Sequence, residues 1–310
     1  MNTHDKVAVC SRSFSIHPSL RKELLARYEN VKFNESGLVL EGNELVSFLH
    51  GYEKTITGLE RFDANALSQL PELRVISKYG VGLDMLDLKS MCRQGIRLGW
   101  TSGVNRRSVS ELVISFAVAL LRHIQISRYE VLQGKWKQHV GGLLSERTVG
   151  IIGCGHVGKD LITLLQPWGC TILAYDILDF SNFYINNHVT PVALDELLIR
   201  SDVVSLHVPL DESTRNILSE NRLKLMKATS ILINTARGGL VDEVALKNML
   251  IKERIAAAAF DVFAVEPPQD MELLSLPNFL VTPHIGGSAA EAILAMGRAA
   301  IKGLDDNYVP

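Results

Sequence analysis

The stretch Thr148-Val149-Gly150-Ile151-Ile152-Gly153-Cys154-Gly155-His156-Val157-Gly158 decides the fold. Its opening is a short apolar run of strand type, and Lys159 to Trp168 reads as a helix. Between them Gly153, Gly155 and Gly158 fit the pattern G-x-G-x-x-G. The first glycine permits a tight turn, the second lets backbone approach a pyrophosphate, and the third lets the helix lie close on its strand. Free N–H groups at the helix start would face the phosphates, where the helix dipole also favours negative charge. A lone glycine pattern is a weak signal. Here a second strand follows, Thr171 to Tyr175, and it ends in Asp176, eighteen residues after Gly158. A carboxylate at about that distance is placed to accept from a ribose 2′-OH. Strand, turn, helix, strand and acid together point to a bound dinucleotide.

Working outward, the chain has 310 residues, enough for two domains. It is 47% hydrophobic and 21% charged, the balance of a globular chain with large cores. A formal net charge of -2 argues against nucleic-acid or membrane-surface binding by bulk electrostatics. No apolar run approaches the ~18 residues that span a bilayer, and Met1 to Lys6 is too polar to open a signal peptide. Cys10, Cys92, Cys154 and Cys170 are scattered without metal-ligand spacing and read as reduced thiols of a cytoplasmic protein. No metal is expected.

Upstream of the glycine stretch, strands alternate with helices. Val7 to Cys10, Val31 to Phe33, Val75 to Lys78 and Ile96 to Leu98 read as strands, and His50 to Thr55 as a loop at a strand end. Ser108 to His123 is a long apolar helix, expected to be buried between domains or in a subunit interface. Downstream, strands recur at Val203 to Leu206, Ser230 to Asn234, Ala256 to Phe260 and Phe279 to Val281, and Ala289 to Gly303 is a final helix. The fold class is α/β, with two doubly wound parallel-sheet domains of Rossmann or flavodoxin-like type and a cleft between them.

Ligands of such sheets sit outside the carboxyl ends of the strands. Arg237, Glu266 and His284 each follow such a strand, so a guanidinium, a carboxylate and an imidazole are placed to act near one cofactor. Taken singly, each could be a solvated or capping residue.

These residues carry a resemblance. The chain resembles the D-isomer-specific 2-hydroxyacid dehydrogenases, and within them the D-3-phosphoglycerate dehydrogenase branch. The resemblance rests on Lys78-Tyr79-Gly80-Val81-Gly82-Leu83-Asp84, Asn105 to Glu111, Gly150 to Gly158, His207-Val208-Pro209-Leu210, Asn234 to Gly239, Phe260 to Phe263 with Glu266-Pro267, and Thr282 to Gly287. It implies a discontinuous substrate domain, 1–101 with 288–310, and an NAD-binding domain, 102–287. It further implies a homodimer through the NAD-binding domain, to which the apolar helix and the segment to Leu144 would contribute.

The implied reaction is hydride transfer between nicotinamide and the carbon bearing the hydroxyl of a D-2-hydroxy acid. His284 would exchange the hydroxyl proton, Glu266 would orient it, and Arg237 would clamp the substrate carboxylate. Imidazole suits both directions because its unperturbed pKa is about 6.5. Gly153, Gly155, His156, Val157 and Gly158 would line the pyrophosphate and Asp176 the adenosine ribose. Asp261 resembles the residue that holds the nicotinamide carboxamide, and His207, Val208, Thr235, Ala236, Gly286 and Gly287 complete the implied NAD site together with Arg237 and His284. Val81 and Gly82 would meet the substrate carboxylate through their backbone. Lys54 and Lys78, both read at strand ends, are candidate cations for a substrate phosphate, although Glu53 beside Lys54 would repel one. The substrate is therefore 3-phosphoglycerate or 3-phosphohydroxypyruvate, or alternatively hydroxypyruvate, glyoxylate or another 2-keto acid. With the chain ending at Pro310, no serine-binding regulatory domain is expected. A non-enzymatic alternative is an NADH-sensing, corepressor-like binding protein, since such relatives keep the same residues.

Overall fold

Val7, Ala8 and Val9 are all fully buried, as a parallel strand covered on both faces requires. Together with its neighbours this strand, β1 (Val7–Val9), forms the first of two parallel sheets in the computed structural model, which describes residues 4–310. Its partners are β2 (Val31–Phe33), β3 (Lys54–Thr57), β4 (Val75–Lys78) and β5 (Arg97–Gly99), in the order β2-β1-β3-β4-β5. That is the flavodoxin-like order, which reverses between β1 and β3. Successive side chains alternate between faces. Ala8, Ile76 and Leu98 accordingly enter one core, with Leu45, Phe62 and Met91. Val7, Val9 and Ile56 enter the other, with Phe14, Leu20 and Ala300.

The second sheet contains β6 (Thr148–Ile152), β7 (Thr171–Tyr175), β8 (Thr190–Pro191), β9 (Val203–Leu206), β10 (Ile231–Asn234), β11 (Ala257–Phe260) and β12 (Phe279–Val281). Its order is β12-β11-β10-β9-β6-β7-β8, a Rossmann sheet whose order reverses between β6 and β9. Ile152, Val204, Leu206, Leu232 and Phe260 pack on one face. Val149, Ile151, Val203, Ile233 and Ala259 pack on the other. Each of these buried Val, Leu, Ile and Phe side chains stabilises by about 1.5–3 kcal/mol before entropy is counted.

The chain divides into two units, one running through Asn105 and taking in Ser288–Pro310, the other Arg106–Gly287. The boundary thus falls at residue 105 rather than 101, because the turn at 102–105 belongs with the first unit. The helix Ala290–Gly303 returns to the first unit, where Ser77 Oγ donates to Ala300 O at 2.6 Å and Gly99 lies too close to Gly303 to admit a side chain.

Two strands escape a reading of the sequence, β3 and the two-residue β8. β3 contains Lys54 and Thr55 from the segment read as a loop. The apolar helix is Arg106–Leu121, and its buried stripe (Val109, Val113, Phe116, Ala117, Leu120) lies in its own unit, largely in the core shared with β6 and β10. Its apolar stripe is thus accounted for by the core of its own unit. His123, in a left-handed conformation (φ 53°), ends this run and starts a second helix, Ile124–Leu132, bent 59° from the first. That second helix has no buried residue. No single helix among the described residues is long and apolar enough to cross a membrane.

Candidate active site

The glycine turn follows β6 directly. Gly153 has φ 97°, and a side chain there would meet the carbonyl carbon of His207 at 2.7 Å and Val208 Cγ1 at 2.8 Å. Gly158 presses its Cα side on the Gly153 carbonyl, which is why the helix His156–Leu165 can start so close to its strand. Gly155 is the N-cap of that helix, its side opens on free space, and no side chain caps the helix end. An uncapped ten-residue helix with open space at its N-terminus is suited to an anionic group.

Asp176, one residue past β7, accepts from Cys154 N at 2.6 Å and Leu178 N at 2.9 Å. These bonds tie the carboxylate to the glycine turn. Thr235, one residue past β10, is buried, and its hydroxyl has no hydrogen-bond partner. A buried hydroxyl without a partner costs about 1–3 kcal/mol, which a bound polar ligand would relieve. Ala236 N is held by the Asn234 side chain at 3.1 Å. The open helix terminus, the tethered acid and the unsatisfied threonine fit a dinucleotide.

Strands β10, β11 and β12 run parallel in register, Asn234 opposite Phe260 and Phe260 opposite Val281. Their carboxyl ends therefore lie side by side and carry Arg237, Glu266 and His284 in the loops beyond. Gly238 packs directly on the Phe263–Ala264 backbone, leaving no room for a side chain, so the Arg237 loop is fixed against the turn leading to Glu266. That turn is held by Phe263 N donating to Glu266 Oε1 at 3.0 Å and Ala264 N donating to Glu243 Oε1 at 2.9 Å. Glu266 Oε2 in turn meets His284 Nδ1 at 2.8 Å. Both side chains keep solvent access, His284 at 52% and Glu266 at 39%, so Nε2 is the nitrogen left for a substrate.

His284 stands in a left-handed backbone conformation, φ 55°. Asp261 holds it there. Its carboxylate, on a residue 1% exposed, accepts from Thr282 Oγ1 at 2.5 Å, Ile285 N at 2.7 Å and Gly286 N at 2.7 Å. Both oxygens are thus engaged by the His284 loop, so Asp261 clamps that loop, and its remaining acceptor capacity is compatible with the expected carboxamide contact. Gly286 also accepts from Ser108 Oγ at 2.6 Å, and Gly287 follows as the last residue of the unit.

In the first unit, Lys78 closes β4 at the carboxyl end of the sheet and donates to Gly58 O. Val81 and Gly82 follow in a partly exposed loop, with Val81 O fixed by Trp100 Nε1 at 3.1 Å. Lys54 is a correction. It opens β3, at the amino end of the sheet, about 10 Å of strand away from the ligand-binding end. There its ammonium is buried between Asp5 (2.9 Å) and Asp305 (3.0 Å), with Tyr28 Oη at 3.3 Å. Burial alone would lower its pKa, but the bonds to Asp5, Asp305 and Tyr28 outweigh that and raise it. Lys54 is a structural charge and not a phosphate ligand.

Sequence reading also missed Glu243 and Ser205, which support the Glu266 turn and His207 without themselves standing in a recognisable pattern, and it gave Thr282 only as a motif residue with no role.

Residues 114–286 match the family model for the D-isomer specific 2-hydroxyacid dehydrogenase NAD-binding domain. A hydroxypyruvate reductase from Thermotoga maritima is 36% identical over 264 residues, covering 83% of this chain and 85% of that protein. A D-3-phosphoglycerate dehydrogenase from Methanocaldococcus jannaschii is 36% identical over 242 residues, 75% of this chain but 45% of that protein. Among solved structures, a Polaromonas sp. protein assigned to the NAD-binding D-isomer specific 2-hydroxyacid dehydrogenases superposes with a TM-score of 0.89 at 27% identity, covering 98% of this chain and 99% of that one. NAD is the cofactor, and the reaction is hydride exchange between a D-2-hydroxy acid and its 2-keto acid. The chain belongs to the D-isomer specific 2-hydroxyacid dehydrogenase family.

Proposed function

We propose that this enzyme reduces a small, unphosphorylated 2-keto acid of the hydroxypyruvate or glyoxylate class. The observation that carries the reading is Lys54, which is committed to Asp5 and Asp305 at the far end of its sheet. Without it, Lys78 is what remains of the cations proposed for a substrate phosphate, and its Nζ is already bonded to Gly58 O. The similarity to a hydroxypyruvate reductase over most of both chains supports the same reading. NADH oxidation should be followed with hydroxypyruvate, glyoxylate, pyruvate, a branched 2-keto acid and 3-phosphohydroxypyruvate. Hydroxypyruvate or glyoxylate should give the highest kcat/KM. Preference for the phosphorylated acid would overturn the assignment, and tight NADH binding without any turnover would favour an NADH sensor.

Bound NAD supplies or accepts the hydride. The chain's own groups do the rest. His284 Nε2 gives a proton to the carbonyl oxygen on reduction and takes it back on oxidation. Glu266 orients the ring through Nδ1. Arg237 binds the substrate carboxylate with a planar fork that a lysine lacks. His156 and Val157 N–H groups face the pyrophosphate, and Asp176 binds the adenosine ribose.

The Asp176 assignment has a cofactor consequence. A 2′-phosphate beside a carboxylate that is already tied to two backbone N–H groups meets a like charge. NADPH should therefore work roughly 10²-fold less well than NADH in kcat/KM. Equal use of the two would remove Asp176 from the ribose.

We further infer a homodimer through the second unit, with its surface on Ile124–Leu132 and the stretch after it. Here Tyr129, Leu132 and Leu143 are exposed, Trp136 is 86% exposed and Val140 94%. An apolar run of this kind is uncommon on a monomer. Trp136→Glu with Val140→Glu should convert a dimer to a monomer in light scattering. An unchanged mass would place the interface elsewhere. The four free cysteines support a reducing, cytoplasmic setting.

A further inference from the structure

His207 has a role that the catalytic residues do not explain. It is the first residue after β9, and its N–H donates to Ile152 O, the last residue of β6, at 2.7 Å. It therefore stands where the order of the second sheet reverses, with its backbone against Gly153 of the phosphate turn. Two residues earlier on the same strand is Ser205, fully buried. Residues i and i+2 of a strand share a face, and Ser205 Oγ lies 2.9 Å from His207 Nε2.

That contact determines where the imidazole proton sits. Among the described residues, Ser205 Oγ has no hydrogen-bond partner other than this nitrogen. If Nε2 carried the proton, it would donate and the buried hydroxyl would have nowhere to place its own hydrogen. Stranding a buried donor is the costly arrangement. With Nε2 as acceptor, both groups are satisfied, provided the ring is neutral. Burial of most of the imidazole pushes its pKa down to about 3, the direction that favours the neutral ring. A neutral ring that accepts at Nε2 carries its hydrogen on Nδ1. Nδ1 bonds to no described residue and is not among the buried nitrogens that lack a partner, so it is reachable.

We propose that Ser205 is a positioning residue that fixes His207 in the Nδ1–H tautomer, so that the ring offers an uncharged N–H donor to an oxygen of the bound dinucleotide. The proposal deepens the NAD assignment and rests on it. An uncharged donor keeps this contact independent of pH across the range where an ordinary histidine titrates.

The tautomer is read on the cofactor-free protein, so it is separate from whether NAD binds. Long-range proton–nitrogen spectra of histidine-labelled protein should show His207 protonated at Nδ1 and bare at Nε2. Ser205→Ala should shift the ring toward the Nε2–H form and weaken NADH binding about five- to tenfold in a fluorescence titration without substrate. Ser205→Cys, which restores a weak donor, should recover part of both. Wild-type His207 protonated at Nε2 would overturn the proposal. So would a Ser205→Ala protein that is folded by circular dichroism and keeps both the Nδ1–H form and wild-type NADH affinity. Failure of the wild type to bind NADH would instead count against the cofactor assignment.

Discussion

His284→Asn is expected to lower kcat for keto-acid reduction by about 10²- to 10⁴-fold, the range a positioned acid–base group contributes. Asparagine is the informative replacement. His284 sits at φ 55°, a region that asparagine adopts more readily than most residues. The loop can therefore remain clamped on Asp261 through Thr282, Ile285 and Gly286, while the exchangeable imidazole proton is lost. NADH affinity, measured by fluorescence titration, should stay within a few-fold of wild type. Near-normal turnover would remove His284 from the proton transfer. Equal loss of turnover and NADH binding would mean that the substitution had collapsed the loop.

Arg237→Lys should reduce kcat/KM roughly 10- to 150-fold, corresponding to the ~1.5–3 kcal/mol of a charged hydrogen bond. Charge is conserved in this variant, so the loss measures geometry. A guanidinium presents parallel donors to a carboxylate, whereas an ammonium is a point charge on a flexible stem. The Arg237 loop is anchored independently, through Asn234 Nδ2 to Arg237 O at 2.8 Å and through the close approach of Gly238 to Phe263. The backbone should not move with the side chain. Initial rates at varied keto acid should show the loss in KM as well as kcat. A lysine variant as efficient as wild type would leave the carboxylate to another group.

Most of the architecture was legible because a parallel sheet buries both faces of its strands. Val149, Ile151 and Ile152, or Ile231, Leu232 and Ile233, can only be interior. The glycine turn was legible because sterics leave little choice at Gly153 and Gly158. β3 was not. Lys54 and Thr55 look like loop residues, and the burial of Lys54 is made tolerable by partners far along the chain, Asp5 and Asp305. A neutralising ion pair spanning 251 residues leaves no local pattern. The same limit misplaced Lys54 in the substrate site.

The candidate catalytic groups stood out because chemistry-bearing residues followed buried strands. The devices that hold them did not. Asp261 was visible as a residue of the resemblance, but its three donors are a hydroxyl and two backbone N–H groups from a loop about twenty residues later, and backbone groups carry no sequence signal. Ser205 looked like one more strand residue, since only the fold shows that its hydroxyl meets His207. The helix Arg106–Leu121 reads as buried between domains or in a subunit interface because it is so apolar, and its buried stripe is accounted for by the core of its own unit. The exposed apolar surface falls instead on Trp136 and Val140, beyond the following helix.

Rapid mixing of the enzyme–NADH complex with excess hydroxypyruvate or glyoxylate, at one NADH per chain, tests the central claim most directly. Loss of NADH absorbance in a single exponential, with an equal amount of 2-hydroxy acid formed, is the expected result. Stable NADH absorbance from a complex that binds NADH tightly, with either acid at saturation, would contradict a reductase of small 2-keto acids.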